Sequence, residues 1–309
     1  MKHVFIMDPI ESVRVDLDST FALMCEAQKR EHQVFYALGS GLSLEEGVPL
    51  VNAAEARLQP VQGRHAELGP WERLNLAEAD VVWMRKDPPF NMDYIFSTYV
   101  LDHAVPTAQV VNAPEGLRNM NEKTWAMRFP TLIPETLITQ NQDEIRRFAK
   151  AFGTIVVKPL DGNGGEGVFI VDEADPNIGV IVEMSTVHGT RKVMAQRYLP
   201  EAKQGDKRII LVNGEPVGAI NRIPTGVDHR GNMHAGARVE AAAIDERDRE
   251  ICGLIGPPLR EAGQVFVGID VIGGFLTEVN VTSPTGIHEI NRLHGLCVEQ
   301  LIVDAVDQA

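Results

Sequence analysis

Residues 154–171 read Thr-Ile-Val-Val-Lys-Pro-Leu-Asp-Gly-Asn-Gly-Gly-Glu-Gly-Val-Phe-Ile-Val. Within them Gly162–Gly167 fits G-x-G-x-x-G. In a dinucleotide-binding fold such glycines open a helix whose N-terminus faces a pyrophosphate. Here the β-type run Val168–Val171 follows at once, and no G-K-[ST] occurs anywhere in the chain. A Rossmann turn and a P-loop are both excluded. What remains is strand, glycine loop, strand: a hairpin whose backbone N–H groups can cover phosphates. Protein kinases use a related device, but the chain has no H-R-D or D-F-G segment. The plain alternative is a glycine-rich hairpin without a ligand. Lys158 weighs against it, because an ammonium at the end of a buried strand beside such a loop suits nucleotide oxygens.

A second pattern lies near the C-terminus. Asp270 interrupts the apolar run Val267-Gly-Ile-Asp-Val-Ile272, and Glu278 and Asn280 interrupt Leu276-Thr-Glu-Val-Asn-Val281. A hairpin around Gly273-Gly274 sets Asp270 opposite Glu278. Residues two apart share a face, so Asn280 joins them. Carboxylates inside apolar strands are costly unless paired or metal-bound. Two carboxylates and an amide oxygen are hard ligands suited to Mg²⁺ beside phosphates. The plain alternative is an edge strand with its polar face in water. The loop and this face together imply a nucleotide site built without a P-loop.

Around these motifs the first third alternates β and α: strands His3–Met7, Val34–Leu38, Asp80–Met84 and Gln109–Asn112, a helix capped by Asp18, Ser19 or Thr20, and another over Asn91–His103. That pattern predicts an α/β domain with a mostly parallel sheet. Val48–Val61 suggests a hairpin turning near Ala53–Ala56, and residues 40–75 match no motif. After Pro114–Pro134 the pattern becomes α+β. Strands are expected at Thr136–Ile138, Thr154–Lys158, Val168–Val171 and Lys192–Tyr198, with helices at Gln142–Phe152 and Ile178–Val187. Asn213-Gly214 and Gly273-Gly274 signal two-residue hairpins. A helix over Glu246–Ala262 separates them and another over Leu293–Val306 closes the chain.

Composition narrows the functional classes. The 309 residues suggest about two domains. Lys and Arg total 29 against 43 Asp and Glu, a net charge of −14 that argues against nucleic acid and anionic membrane as partners. No run approaches the ~18 apolar residues of a membrane helix. Cys25, Cys252 and Cys297 are scattered and read as buried small apolar residues in a reducing cytoplasm. His229, His234, His288 and His294 read as surface or loop residues without metal spacing. Against the acidic background, six basic residues (Arg191, Lys192, Arg197, Lys203, Lys207 and Arg208) face two acidic ones between 191 and 208. This suggests cations concentrated where anionic ligands sit.

Several segments then carry a specific resemblance. Lys123, Lys158-Pro-Leu-Asp-Gly-Asn-Gly-Gly-Glu-Gly167, Gln196-Arg-Tyr-Leu-Pro200, Asp206-Lys-Arg208 and Asp270 with Glu278-Val-Asn280 resemble the ATP-grasp superfamily. Within it, Met7-Asp-Pro-Ile10, Met84-Arg-Lys-Asp-Pro-Pro-Phe90 and Thr277-Glu-Val-Asn-Val-Thr-Ser-Pro-Thr285 resemble the bacterial glutathione synthetases, over about residues 3–290. The resemblance implies an α/β fold with an N-terminal parallel-sheet domain over 1–121 and an ATP-grasp domain over 122–309. The latter would comprise a lid lobe over about 124–200 and a catalytic lobe over about 201–309. It implies an ATP-dependent ligase that joins γ-glutamylcysteine to glycine through an acylphosphate, with Mg²⁺ or Mn²⁺, as a cytoplasmic homotetramer.

By similarity, Lys123 and Lys158 neutralise the α/β-phosphates. Gly162, Gly164, Gly165 and Gly167 close over the β/γ-phosphates. Gln196, Arg197, Tyr198 and Leu199 line the adenine edge through backbone groups, and Asp206 belongs to the same nucleotide motif. Asp270, Glu278 and Asn280 ligate the metal. Arg208 and Arg222 serve catalysis, with Arg230 and Asn232 on a loop that covers the acylphosphate. Arg85, at a strand's carboxyl end, anchors a dipeptide carboxylate, and Ser283 and Thr285 contact substrate polar groups. The competing readings are another ATP-grasp carboxylate–amine ligase, of the D-alanine–D-alanine or glutamate type, and a nucleotide-binding regulator without turnover.

Overall fold

The structure, a computed structural model, describes residues 1–162, 164–225 and 238–308. Its first sheet comprises β1 (Lys2–Met7), β2 (Gln33–Glu45), β3 (Val48–Leu58), β4 (Ala66–Asn75), β5 (Val81–Met84) and β6 (Gln109–Val111), in the order β4-β3-β2-β1-β5-β6. The β2-β1-β5-β6 part is parallel, with Phe5 level with Tyr36 on one side and Trp83 on the other. Alternate residues enter different cores. Val4, Ile6, Val82 and Met84 join one cluster, while Phe5, Met7, Val81 and Trp83 join the other. A strand buried on both faces must be apolar at every position, which is why these runs do not alternate. Helices α1 (Ser19–Lys29), α2 (Met92–Asp102) and α3 (Pro114–Asn119) connect this region, and the Asp18 carboxylate caps α1 by accepting from Phe21 N–H.

The unassigned 40–75 stretch is the antiparallel extension of this sheet, β2-β3-β4. The expected turn at Ala53–Ala56 is absent, and Ala53, Ala54 and Ala56 are buried mid-strand. The chain reverses instead at Glu46-Gly47, both at positive φ. Residues 53–56 contain no glycine to accept that geometry at low cost, whereas Gly47 does.

A second, antiparallel sheet, ordered β7-β10-β8-β9, contains β7 (Thr136–Thr139), β8 (Ile155–Pro159), β9 (Phe169–Val171) and β10 (Val193–Arg197). Helices α4 (Gln142–Phe152) and α5 (Ile178–Ser185) cover it, and Ile145, Ala149 and Val182 pack on Ile155, Val157 and Ala195. The third sheet, β13-β12-β11-β14-β15, comprises β11 (Asp206–Val212), β12 (Glu215–Ile223), β13 (Arg238–Ala241), β14 (Phe266–Ile272) and β15 (Phe275–Asn280). On one face, Ile209, Leu211, Val267 and Ile269 share a core with Ile251, Ile255 and Leu259 of α6 (Glu246–Glu261). On the other, Ile210, Val212 and Phe266 meet α7 (Ile287–His294) and α8 (Val298–Asp307).

The closing helix expected over Leu293–Val306 is therefore two helices. Gly295 adopts a left-handed conformation that ends α7, and α8 restarts after Cys297. His288 and His294 lie on α7, where their rings meet the carbonyls of Asp18 and Ala219. Of the three cysteines only Cys252 is buried; Cys25 is half-buried and Cys297 is exposed. Among the described residues, no helix is long and apolar enough to cross a membrane.

Strand β1 also carries a buried histidine. Trp83 Nε1 donates to His3 Nδ1 at 3.1 Å, so the ring's proton sits on Nε2, 4.0 Å from Asp307 Oδ1. Burial, reinforced by neighbouring His32, pulls the His3 pKa down to about 3. The unfolded chain then binds the proton more tightly between that value and the ordinary imidazole value of 6.5. Stability from a neutral His3 is complete above the unfolded value and is lost as pH falls. His3→Gln is expected to flatten the acid limb by up to about 1.4 kcal/mol per pH unit. Denaturant melts at pH 7 and pH 5 check this, and equal slopes in both proteins would contradict it.

Candidate active site

The three sheets meet around a cavity of about 690 Å³. One wall is β8, β9 and the glycine loop, with Lys158, Gly164, Gly165, Glu166 and Gly167. The other is the third sheet, with Asp206, Arg208, Arg222, Asp270, Glu278 and Asn280. The floor runs from Gln196–Leu199 to Asp87-Pro88 of the N-terminal sheet and residues 282–285.

The third-sheet wall follows from strand alternation. Asp206 is level with Arg222, and Arg208 is level with Asp270, which is in turn level with Glu278. Arg208 grips Asp270 with two bonds, Nε at 2.5 Å and Nη2 at 2.9 Å. Arg222 lies 2.8 Å from the same carboxylate and also pairs with Asp206. Burial opposes ionisation of Asp270, but Arg208 and then Arg222 outweigh it and hold the carboxyl well below its usual range. Asp206, buried with Asp270 close by, is pushed up despite Arg222. Asn280 spends its amide N–H on Asp270 Oδ2 at 3.3 Å, which leaves its carbonyl oxygen for another partner.

Glu278 lies between two lysines, 3.6 Å from Lys123 Nζ and 3.7 Å from Lys158 Nζ. Burial would raise its pKa, yet the two ammonium groups lower it. Lys158 is itself buried, which depresses its pKa. Lys123 is not on the cavity wall. It is buried beneath the glycine loop and donates to the Gly162 carbonyl at 2.8 Å. Burial works against its charge too, but Glu278 and Glu122 raise its pKa.

At Gln196–Leu199 the Arg197 and Tyr198 N–H groups already bond to the Glu135 and Thr154 carbonyls. The Gln196 amide holds Thr136 at 2.9 Å. Among the described residues the Leu199 N–H has no protein partner, so it is the amide at this edge that a base could use. Arg85 is buried away from the cavity. It donates to Thr20 Oγ1 at 3.1 Å and the Pro284 carbonyl at 2.9 Å, and lies over the Phe266 ring. Ser283 Oγ bonds to Asp87, and the Thr285 carbonyl accepts from Arg208 Nη1 at 3.3 Å. Arg230 and Asn232 lie outside the described residues.

The basic concentration over 191–208 proves divided. Lys207 points to the opposite face of β11 and pairs with Asp245 and Asp248 at the start of α6. Arg191 is paired with Asp161. Only Arg197 and Arg208 of the six reach the cavity. Sequence reasoning missed Glu122, Asp87 and Glu166. Glu122 accepts from Thr282 and is pushed up to about 7 by burial and by the charge of Glu278. Its adjacency to Lys123 was the available signal.

Comparison with known proteins matches this architecture. The ATP-grasp domain of prokaryotic glutathione synthetase matches residues 122–295, and the N-terminal domain of the same family matches residues 1–118. A glutathione synthetase of Synechococcus elongatus is 49% identical over 317 residues, 99% of this chain and 98% of that protein. One from Mesorhizobium japonicum is 48% identical over 307 residues, with the same coverage of 99% and 98%. A D-cycloserine synthetase structure covers 98% of this chain and 99% of its own with a TM-score of 0.68; at 13% identity it speaks for the fold alone. The enzyme is thus an ATP-dependent ligase with an ATP-grasp fold, and the chain belongs to the prokaryotic glutathione synthetase family.

Proposed function

We propose that the enzyme joins γ-glutamylcysteine to glycine through an acylphosphate in the cavity described above. The observation that carries this reading is the pairing of two opposed walls. A glycine loop with buried Lys158 faces an Arg208–Asp270–Arg222 cluster beside Glu278 and Asn280. The first wall suits nucleotide phosphates. The second suits a carboxylate and the phosphoryl group it receives.

Lys158 and the amides of Gly162, Gly164, Gly165 and Gly167 hold the phosphates, Lys123 adds its positive charge from beneath the loop, where it holds the Gly162 carbonyl, and the Leu199 amide meets the adenine edge. One cysteinyl carboxylate oxygen forms the new bond to the γ-phosphorus as the bond to ADP breaks. Arg208 and Arg222 stabilise the charge that gathers on the phosphoryl oxygens. The glycine amine then forms the amide bond, and phosphate leaves with the carboxylate oxygen. An acylphosphate hydrolyses readily, so water must be excluded. Arg230 and Asn232 are assigned to that cover. Ser283 and Thr285 face the substrate's polar groups, and Arg85 supports them from behind through Pro284.

Asp270, Glu278 and the carbonyl oxygen of Asn280 form a hard-oxygen set fit for Mg²⁺, or Mn²⁺ in its place. Glu278 is kept ionised by its lysines. The ion, when bound, offsets charge on the phosphoryl oxygens. The same reading carries a cytoplasmic homotetramer, which light scattering measures.

Lys158→Met is expected to lower kcat/KM for ATP by about 10²-fold, read by initial rates against ATP concentration. An effect below threefold would remove Lys158 from phosphate binding. The substrate reading is tested by ADP release, which must require γ-glutamylcysteine and glycine together. Release with D-alanine instead would overturn it.

A further inference from the structure

The cavity is lined by six carboxylates: Asp87, Glu122, Glu166, Asp206, Asp270 and Glu278. Asp206, Asp270 and Glu278 each pair with Arg208, Arg222 or the two lysines, and Glu122 lies 3.8 Å from Lys123. Among the described residues, neither Asp87 nor Glu166 has a basic side chain within ion-pair distance. Glu166 belongs to the glycine loop. Asp87 sits at the other end of the cavity, on the segment that follows β5.

That segment is held firmly. Asp87 N–H donates to Asp8 Oδ2 at 2.7 Å, and Lys86 Nζ donates to Asp8 Oδ1 at 3.0 Å. Ser283 Oγ donates to Asp87 Oδ1. The second carboxylate oxygen of Asp87 has no protein partner among the described residues, and an ionised carboxylate has room for several donors. Residues 283–285 thus connect two chemically opposite points. Ser283 touches Asp87, while the Thr285 carbonyl accepts from Arg208. Two residues of extended chain span roughly 7 Å. A ligand running along this segment would have an anionic group at Arg208 and an ammonium group at Asp87.

We propose that Asp87 binds the α-ammonium of the substrate's γ-glutamyl group and makes it a determinant of specificity; this rests on the dipeptide reading above. A γ-glutamyl dipeptide presents its reacting carboxylate at one end and, at the other, its only ammonium beside the glutamyl α-carboxylate. The arginine-lined end repels that ammonium. Asp87 is the carboxylate at the far end with an oxygen to spare.

The test compares γ-glutamylcysteine with glutarylcysteine, which lacks only the amino group, in the wild type, Asp87→Asn and Asp87→Glu. The wild type is expected to prefer the amino-bearing substrate by about 30-fold in kcat/KM. Asp87→Asn is expected to lose about 30-fold on γ-glutamylcysteine, to discriminate the two by less than threefold, and to keep its KM for ATP within twofold. Asp87→Glu retains the charge and is expected to recover part of the preference. A merely structural role would slow both substrates equally and leave the ratio unchanged, which overturns the assignment. So does an Asp87→Glu preference no greater than that of Asp87→Asn. Absence of wild-type turnover with γ-glutamylcysteine would instead remove the functional reading beneath it.

Discussion

Glu278→Gln is expected to lower kcat by about 10³-fold while the protein stays folded. The substitution preserves shape and removes one negative charge from between Lys123 and Lys158, which stand 3.6 Å and 3.7 Å away. Two ammonium groups are then left facing each other, so metal-free ATP binds no more weakly than before. What is lost is the hard anionic donor opposite Asp270. The stability change should stay near about 1 kcal/mol, because Glu278 is part-exposed and Lys123 keeps the Gly162 carbonyl and Glu122. Initial rates, ATP binding without divalent ion and thermal unfolding separate these terms. Parallel loss of activity and of folding would show that the carboxylate serves structure.

Gly214→Val should be the most destabilising single change in the catalytic sheet. Gly214 sits at φ +79° in the turn between β11 and β12, and an added Cβ would lie 2.5 Å from the Gly256 carbonyl oxygen in α6. That neighbour is backbone and cannot rotate aside. The left-handed conformation costs a β-branched residue about 1–2 kcal/mol, and forcing apart helix and hairpin costs a similar or larger amount. A total on the order of 4 kcal/mol corresponds to a midpoint lowered by about 8–15 °C. A melt within 3 °C of wild type would show that α6 can shift away from the hairpin. Asn213→Ala at the same turn should be milder, since it adds no atoms and its cost is that of alanine at φ +49°, about 1 kcal/mol.

The contrast between these two positions explains how far the sequence was legible. Glu278 could be found because a carboxylate in an apolar strand is expensive, and the hairpin at Gly273-Gly274 fixed its partner Asp270 across the ladder. Helix α4 was read to the residue because Asn141 caps it and Gly153 ends it. The Ala53–Ala56 turn failed for the opposite reason. Alanine is neutral between strand and turn, and only pairing with β2 and β4 decides it. The break at Gly295 was lost within a run of apolar spacing that spans α7 and α8.

At the site, local pattern reveals residue type but not direction. Arg85 and Lys123 stand out in sequence, yet both are turned inward, one onto the Pro284 carbonyl and one beneath Gly162. Lys207 and Arg208 are neighbours in the chain and face opposite sides of the sheet. Glu122 and Asp87 were silent because their significance comes from what long-range folding brings beside them, Thr282 and Ser283 respectively.

The most direct test of the account follows an oxygen atom. With ¹⁸O in the cysteinyl carboxylate of γ-glutamylcysteine, and with ATP and glycine in unlabelled water, each turnover should move one label into the released phosphate. That transfer requires the carboxylate oxygen to have bonded to the γ-phosphorus. Unlabelled phosphate, with the label lost on amide formation found in water or with both labels still in unreacted dipeptide, would contradict activation of the substrate carboxylate by ATP in this cavity.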